Sequence, residues 1–201
     1  VAFSGRALES VPSMEEPKEP PAKYMNSPEN PLYHKSDVLY GLHEGRVEIR
    51  REDAAILCEG NFDLVALHQA GFRNALAPMG TAFTDAHAKL IKRFAQKVTL
   101  LFDGDDAGRK AVREAYAVLQ KAALAAHVVT LPSGADPDSF LREHGADSLR
   151  TRIVSAPTII EHLIDDAAQE VDPNPRAKAD AIAGLGPILA RVESPIERGL
   201  Y

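Results

Sequence analysis

From Asp53 to Gly145 the sequence repeats one pattern: a short apolar run, a stretch with helical spacing, then another apolar run. AAILCEG reads as a buried strand, FDLVALHQAG as a helix closed by Gly71, and RNALAPMG as a second strand. TDAHAKLIKRFAQ follows as a helix with Thr84 as its cap and Ala88, Ile91 and Ala95 at helical spacing. KVTLLFD is a third strand, DAGRKAVREAYAVLQKAAL a long helix, AAHVVTLP a fourth strand, and DSFLREHG a short helix ended by Gly145. Strands joined through helices run parallel, and parallel strands are apolar throughout because both faces are covered. The pattern therefore predicts an α/β domain over residues 53–146, with a parallel sheet flanked by helices.

The flanks obey other rules. Residues 1–9 read as a strand, and SVPSMEEPKEPPA at 10–22, with four prolines, reads as a flexible surface loop. SDVLYGLHEG at 36–45 suits a short helix capped by Ser36 or Asp37. Together, residues 1–52 predict a partial α+β piece. Residues 147–201 hold helical segments only, broken at VDPNP, and predict a helical subdomain. The sequence opens on Val1 and ends on Tyr201 just after SPIERG, so a piece of a longer protein is expected.

Composition narrows the class. An apolar content of 45% supplies a sizeable core. The single cysteine, Cys58, rules out an internal disulfide and a cysteine-based zinc site, and fits a reducing compartment. No apolar run approaches the roughly 20 residues of a membrane span and no signal-peptide pattern is present, so a cytoplasmic protein without a membrane partner is expected. The net charge of −6 argues against a surface that coats nucleic acid generally, while leaving room for a local basic track.

Ligands of open parallel sheets bind beyond the carboxyl ends of the strands. Three of the four strand ends here carry acids: Glu59 and Asp63; Asp103, Asp105 and Asp106; Asp136 and Asp138. Two unit charges about 4 Å apart repel by roughly 4 kcal/mol at an effective dielectric near 20, so the clustering calls for a cause. Asp63 and Asp106 suit the first turn of a helix, and Asp138 suits the N-cap of SFLREHG. No single helix cap needs Glu59, Asp103 and Asp105 together. Alternate residues of an extended segment share a direction, so Asp103 and Asp105 are expected to aim at one point. A hard cation removes the repulsion, and magnesium, which keeps waters and substrate phosphates in its shell, suits carboxylates best. Two such ions about 4 Å apart serve phosphoryl transfer. The sequence holds no Walker A loop, dinucleotide fingerprint, histidine-rich metal motif or G-x-S-x-G elbow, and its scattered histidines read as structural or surface groups.

EG-xx-D after one strand and D-G-D after a later one resemble the TOPRIM domain of primases, topoisomerases and related nucleases. KYMNSPENPLYHKSDVLYGL, ALAPMGTAFT and LPSGADPDSFLREHG resemble segments of bacterial replicative DNA primases of the DnaG type. SGRAL and SPIERGLY are similar to further pieces of that family. The resemblance covers nearly all of the chain except 10–22, which looks like an insertion. It implies a TOPRIM-like sheet at 53–146, the end of the N-terminal polymerase subdomain at 1–52, and the start of a helical subdomain at 147–201.

In function, it implies a DNA-dependent RNA polymerase that makes short RNA primers on single-stranded DNA from ribonucleoside triphosphates, using magnesium or manganese. Glu59, Asp103 and Asp105 then form the catalytic acidic set, with Glu59 a base toward a primer 3′-hydroxyl or a metal ligand. Asp136 and Asp138 become accessory metal or nucleotide positions, with Asp63 a further acid beside them. Arg6, Lys23, Asn26 and Lys35 fall on positions for template or nucleotide phosphates. The family's zinc-binding domain and its helicase-gripping domain are expected to be absent from this chain, so zinc and the replicative helicase would belong to the longer protein, which works at the bacterial replisome.

Two rivals stand beside this reading. One is a TOPRIM topoisomerase or nuclease, although nothing marks Tyr24, Tyr33 or Tyr40 as a strand-cleaving nucleophile. The other is a non-catalytic DNA-binding TOPRIM protein, which would gain nothing from gathering negative charge near phosphate.

Overall fold

The computed structural model describes residues 3–6, 24–169, 174–190, 192 and 195–199. The expected loop at 10–22 and Lys23 lie outside the described residues. Strands β1 (Ser4–Arg6) and β2 (Tyr24–Asn26) pair antiparallel as a two-stranded ribbon. A 3₁₀ turn at Lys35–Asp37 leads into β3 (Leu39–Tyr40) and then α1 (Leu42–Glu52). The short helix expected at 36–45 is therefore corrected. Leu39 and Tyr40 pair antiparallel with Pro78 and Ala77, and the helix starts only after Gly41. An edge position on a sheet formed elsewhere in the chain overrides the local helical pattern.

The α/β unit follows as expected from the alternation. β4 (Ala54–Leu57), α2 (Asn61–Gln69), β5 (Ala75–Pro78), α3 (Asp85–Lys92), β6 (Lys97–Leu101), α4 (Asp106–Lys121) and β7 (Ala125–Val129) run in sequence. The sheet order is β3-β5-β4-β6-β7, with β5, β4, β6 and β7 parallel. Gly71 closes α2 with φ 93°. Thr84 caps α3: its hydroxyl accepts the His87 N–H at 3.1 Å, while His87 Nδ1 receives the Thr84 N–H.

Both faces of the sheet are covered. Ala55 and Leu57 of β4 face a core with Ile49 of α1, Ile91 of α3 and Leu119 of α4, whereas Ile56 and Cys58 face Leu64 and Leu67 of α2. This alternation is the two-residue period of a strand expressed as two cores.

Beyond β7 come α5 (Pro137–Val154), α6 (Ile159–Gln169), α7 (Pro175–Leu189) and α8 (Pro195–Arg198). Gly145, at φ 76° and ψ 169°, breaks α5 where the short helix was expected to end. The edge of β7 is covered by chain: Val128 donates its N–H to Pro157 O at 3.1 Å, and Ile159, Ile160 and Leu163 of α6 join the core beside α4. Among the described residues no helix is long and apolar enough to cross a membrane.

Candidate active site

The strand order places β4 centrally between β5 and β6, so the chain leaves β4 toward one side and returns on the other. A crevice opens at such a switch point, beyond the carboxyl ends of the two strands. In-register pairing of Leu57 with Leu100 brings the loops after β4 and β6 together just past the sheet, where the Asp103 backbone N–H points at the Glu59 carboxylate.

Two glycines make the close packing there possible. A Cβ on Gly108 would sit 2.1 Å from Asp103 O, and one on Gly104 would sit 2.2 Å from Pro132 O. With hydrogen at these positions, the first turn of α4 closes on Asp103, and the loop after β6 lies on the loop after β7. Gly104 N–H donates to Ala135 O at 3.1 Å, which brings the Asp136 loop up to the Asp103 loop.

The acids are electrostatically coupled. Loss of hydration and then the charge of Asp103 push the Glu59 carboxyl up to about 6, opposed by a hydrogen bond from the Asp103 backbone N–H. Asp63 also rises to about 6, first through burial and then through Asp103 and Asp136, although backbone N–H groups of Asp138 and Gly60 point at it. Asp63 is thus a full member of the cluster rather than only a helix-start residue. The buried Cys58 thiol below them rises well above its ordinary value, chiefly through burial, and is an inert part of the floor.

The remaining acids divide their tasks. Asp105, not Asp106, caps α4: its Oδ1 accepts the Gly108 N–H at 2.8 Å. Asp106 projects into solvent, 94% exposed, and pairs with Arg109. Asp136, not Asp138, caps α5: its Oδ1 accepts the Ser139 N–H at 2.7 Å, which holds its pKa below the ordinary carboxylate value. Asp138 pairs its carboxylate with Arg142. The cap in each loop lies one or two residues earlier than the helical run suggests, because the capping residue keeps extended dihedrals outside that run.

The positions expected to meet phosphates are only partly gathered. Asn26 donates from Nδ2 to Met79 O at 3.2 Å, so β2 stands at the carboxyl end of β5. Lys35 lies on the 3₁₀ turn, its carbonyl 3.2 Å from His87 Nε2 of α3. Arg6 belongs to β1, with its side chain outside the described atoms. A cavity of about 410 Å³ lined by Glu59, Thr81, Phe83 and Phe102 opens beside the acids, and one of about 230 Å³ lies on the far side of Asp103.

The donor set is all oxygen, and its half-buried carboxylates disfavour one another's ionisation; both properties fit a hard divalent ion. Among the described residues no group of three Asp, Glu, His or Cys side chains is arranged to hold an ion unaided. An ion with one or two protein carboxylates and a shell completed by water and phosphate matches this arrangement.

Three family models match the chain. Residues 1–46 match the N-terminal domain of the DNA primase catalytic core, residues 56–141 a Toprim-like domain, and residues 160–201 the DnaB-helicase binding domain of primase. The DNA primase of Aquifex aeolicus is 42% identical over 176 residues, covering 88% of this chain and 34% of its own length. The RNA polymerase domain of Mycobacterium tuberculosis primase DnaG superposes with a TM-score of 0.84 at 31% identity, covering 100% of this chain and 63% of that one.

The chain belongs to the DnaG-type DNA primases. A DnaG primase catalytic domain bound to single-stranded DNA is also similar, with a TM-score of 0.74 and 31% identity over 88% of this chain and 58% of its own. The chain spans about a third of the length of the curated primase it matches. The relatives and structures matched here are DNA primases, not topoisomerases or nucleases. The helicase expectation is corrected as well: the match at 160–201 falls within this chain, on α6, α7 and α8, and not on an absent segment. Sequence reading missed it because short helices without a distinctive spacing carry no partner-specific signal.

Proposed function

We propose that this chain forms the catalytic centre of a primase that joins ribonucleoside triphosphates into short RNA primers on single-stranded DNA. The observation that carries the reading is the coupled acidic centre of Glu59, Asp63 and Asp103 at the sheet's switch point, in a chain of the primase family. Asp103 and Asp105 hold divalent ions, with Asp136 and Asp138 as accessory positions on the neighbouring loop. Magnesium or manganese, when bound, supplies charge neutralisation for the phosphates and the leaving pyrophosphate. Glu59, with its carboxyl near 6, is largely ionised at neutral pH yet basic enough to accept a proton from a primer 3′-hydroxyl.

Asn26 and Lys35, with Arg6 and Lys23, form the track that positions nucleotide and template phosphates. Such contacts fix register and carry no sequence information. The domain division at 53 and 147 separates this track, the acidic centre and the helical segment. Residues 160–201 meet the replicative helicase, which places the work at the bacterial replisome in the cytoplasm.

Manganese and a ribonucleoside triphosphate titrated into wild type and into an Asp103→Ala/Asp105→Ala variant test the assignment. Saturable, metal-dependent nucleotide binding is expected in wild type and a loss of at least tenfold in the variant. Equal binding in both would remove the two aspartates from the site.

A further inference from the structure

The cavity of about 410 Å³ beside Glu59 lies between the end of β4, the loop after β5 and one face of α4, and its apolar wall includes Phe83, Phe102, Ala111 and Ala115. Ala111 and Ala115 stand one turn apart on the same face of α4, so the helix presents no bulk there. The half-buried Phe83 ring is steadied by the His87 ring, whose centroid lies 5.8 Å away. His87 is itself held, because its Nδ1 receives the Thr84 N–H and its Nε2 lies 3.2 Å from Lys35 O. Phe83 is thus an aromatic wall set in place before any ligand arrives.

The polar groups of the cavity select the class of its occupant. Glu59 and Glu114 are acids, Thr81 is neutral, and no lysine or arginine is among the described residues that line it. Lys110 pairs with Glu114 at 3.8 Å, but its side chain is 78% exposed and its charge stays in water. A phosphate inside would face two carboxylates without a cation of the protein. A flat uncharged ring carrying hydroxyl donors meets both features, an aromatic face and carboxylate acceptors. A nucleoside is such a group. Its phosphate has a place outside, because Asn26 Nδ2 lies 2.7 Å from where a Cβ on Gly80 would stand, which brings the expected phosphate track to the cavity's rim.

We propose that this cavity seats the 3′-terminal ribonucleoside of the primer, with its base stacked on Phe83 and its 3′-hydroxyl turned to Glu59. The role rests on the primase reading above, in which Glu59 accepts the proton of that hydroxyl. A primer end brings a single phosphodiester charge to the rim, where a triphosphate brings several toward Glu59 and Glu114. The acids of the cavity therefore favour the primer end over the incoming nucleotide.

The test uses the whole chain with manganese and three probes: the RNA dinucleotide ApA, the same dinucleotide with an abasic 3′ residue, and adenosine triphosphate. Phe83→Ala is expected to weaken ApA binding by about fivefold or more, the low end for loss of one base–aromatic stack. Binding of the abasic dinucleotide and of the triphosphate stays within about twofold of wild type, since neither meets the Phe83 ring. Ala111→Leu, which fills the cavity from α4 with a good helix former, gives the same loss of ApA by the opposite means. Phe83 also packs on the core, so Ala111→Leu carries the test if Phe83→Ala does not fold.

A wild-type chain that binds the triphosphate but not ApA, or ApA binding unaltered in both variants while Asp103→Ala still loses the triphosphate, overturns the nucleoside pocket and leaves the acidic centre standing. Binding of both probes that is insensitive to all three substitutions overturns the two readings together. Equal losses of the intact and abasic dinucleotides in Phe83→Ala overturn the stacking and make Phe83 a support of its loop. A loss of triphosphate as large as that of ApA also overturns the assignment, because it gives the cavity to the incoming nucleotide.

Discussion

Asp63 shows how a single carboxyl reports on the site around it. Its pKa of about 6 in the folded chain exceeds an ordinary aspartate's, because burial and the charges of Asp103 and Asp136 disfavour ionisation. The folded state therefore binds this proton more tightly than the unfolded state, and stability falls as pH rises from about 4 through about 6. Replacement by Asn keeps an oxygen for the Gly60 and Asp138 N–H groups and removes the charge. Since Asp63 is half-buried, solvent screening leaves about 1 kcal/mol of the repulsion. In metal-free buffer Asp63→Asn is expected to melt about 2–4 °C above wild type at pH 7.5, with the gain absent at pH 3.5. A gain of equal size at both pH values would assign it to packing.

The loops after β6 and β7 show the same trade at the scale of elements. Each begins a helix with an aspartate that belongs both to the cap and to the acidic end of the sheet. Asp136 satisfies Ser139 N–H, and Ser139 Oγ in turn receives the Asp136 N–H at 3.0 Å, a reciprocal capping box. Asp136→Ala is expected to lower stability by about 1 kcal/mol. Asp138→Ala, which removes only an i,i+4 pair with Arg142, costs about 0.5 kcal/mol or less. Melting temperatures of the two variants side by side check this order, and the reverse order would return the cap to Asp138. The helical run is visible in the residues themselves. Which aspartate ends up extended just before it depends on the loop's path, here set by Gly104 lying against Pro132.

Across the whole molecule, net charge and local charge differ in kind. On the proposed reading, the acids gathered at one sheet end bind ions in the folded state, whereas in the unfolded chain of net charge −6 the same acids are dispersed. At about a hundredfold above its dissociation constant, an ion bound only to the folded state adds about 2.7 kcal/mol. Manganese at fixed ionic strength is therefore expected to raise Tm by roughly 5–10 °C in wild type and by little in Asp103→Ala. A sodium control that reproduces the rise would reduce the effect to general screening.

The alternation of apolar and helical segments from Asp53 determined the α/β unit, because burial on both faces writes itself into strands as unbroken apolar runs. The spacing EG-xx-D and D-G-D likewise marked Glu59 and Asp103 as acids at strand ends, whereas the adjacency of β4 and β6 was decided by the sheet order. The antiparallel edge at Leu39 and Tyr40, the coupling of Asp63 to Asp103 and Asp136, and the cavity that Glu59 shares with Phe83 were decided only by the tertiary structure. A residue's own sequence neighbours specify its backbone preference and its face. Which distant charge, edge or cavity that face then meets depends on how separate elements pack, and local sequence carries no record of that.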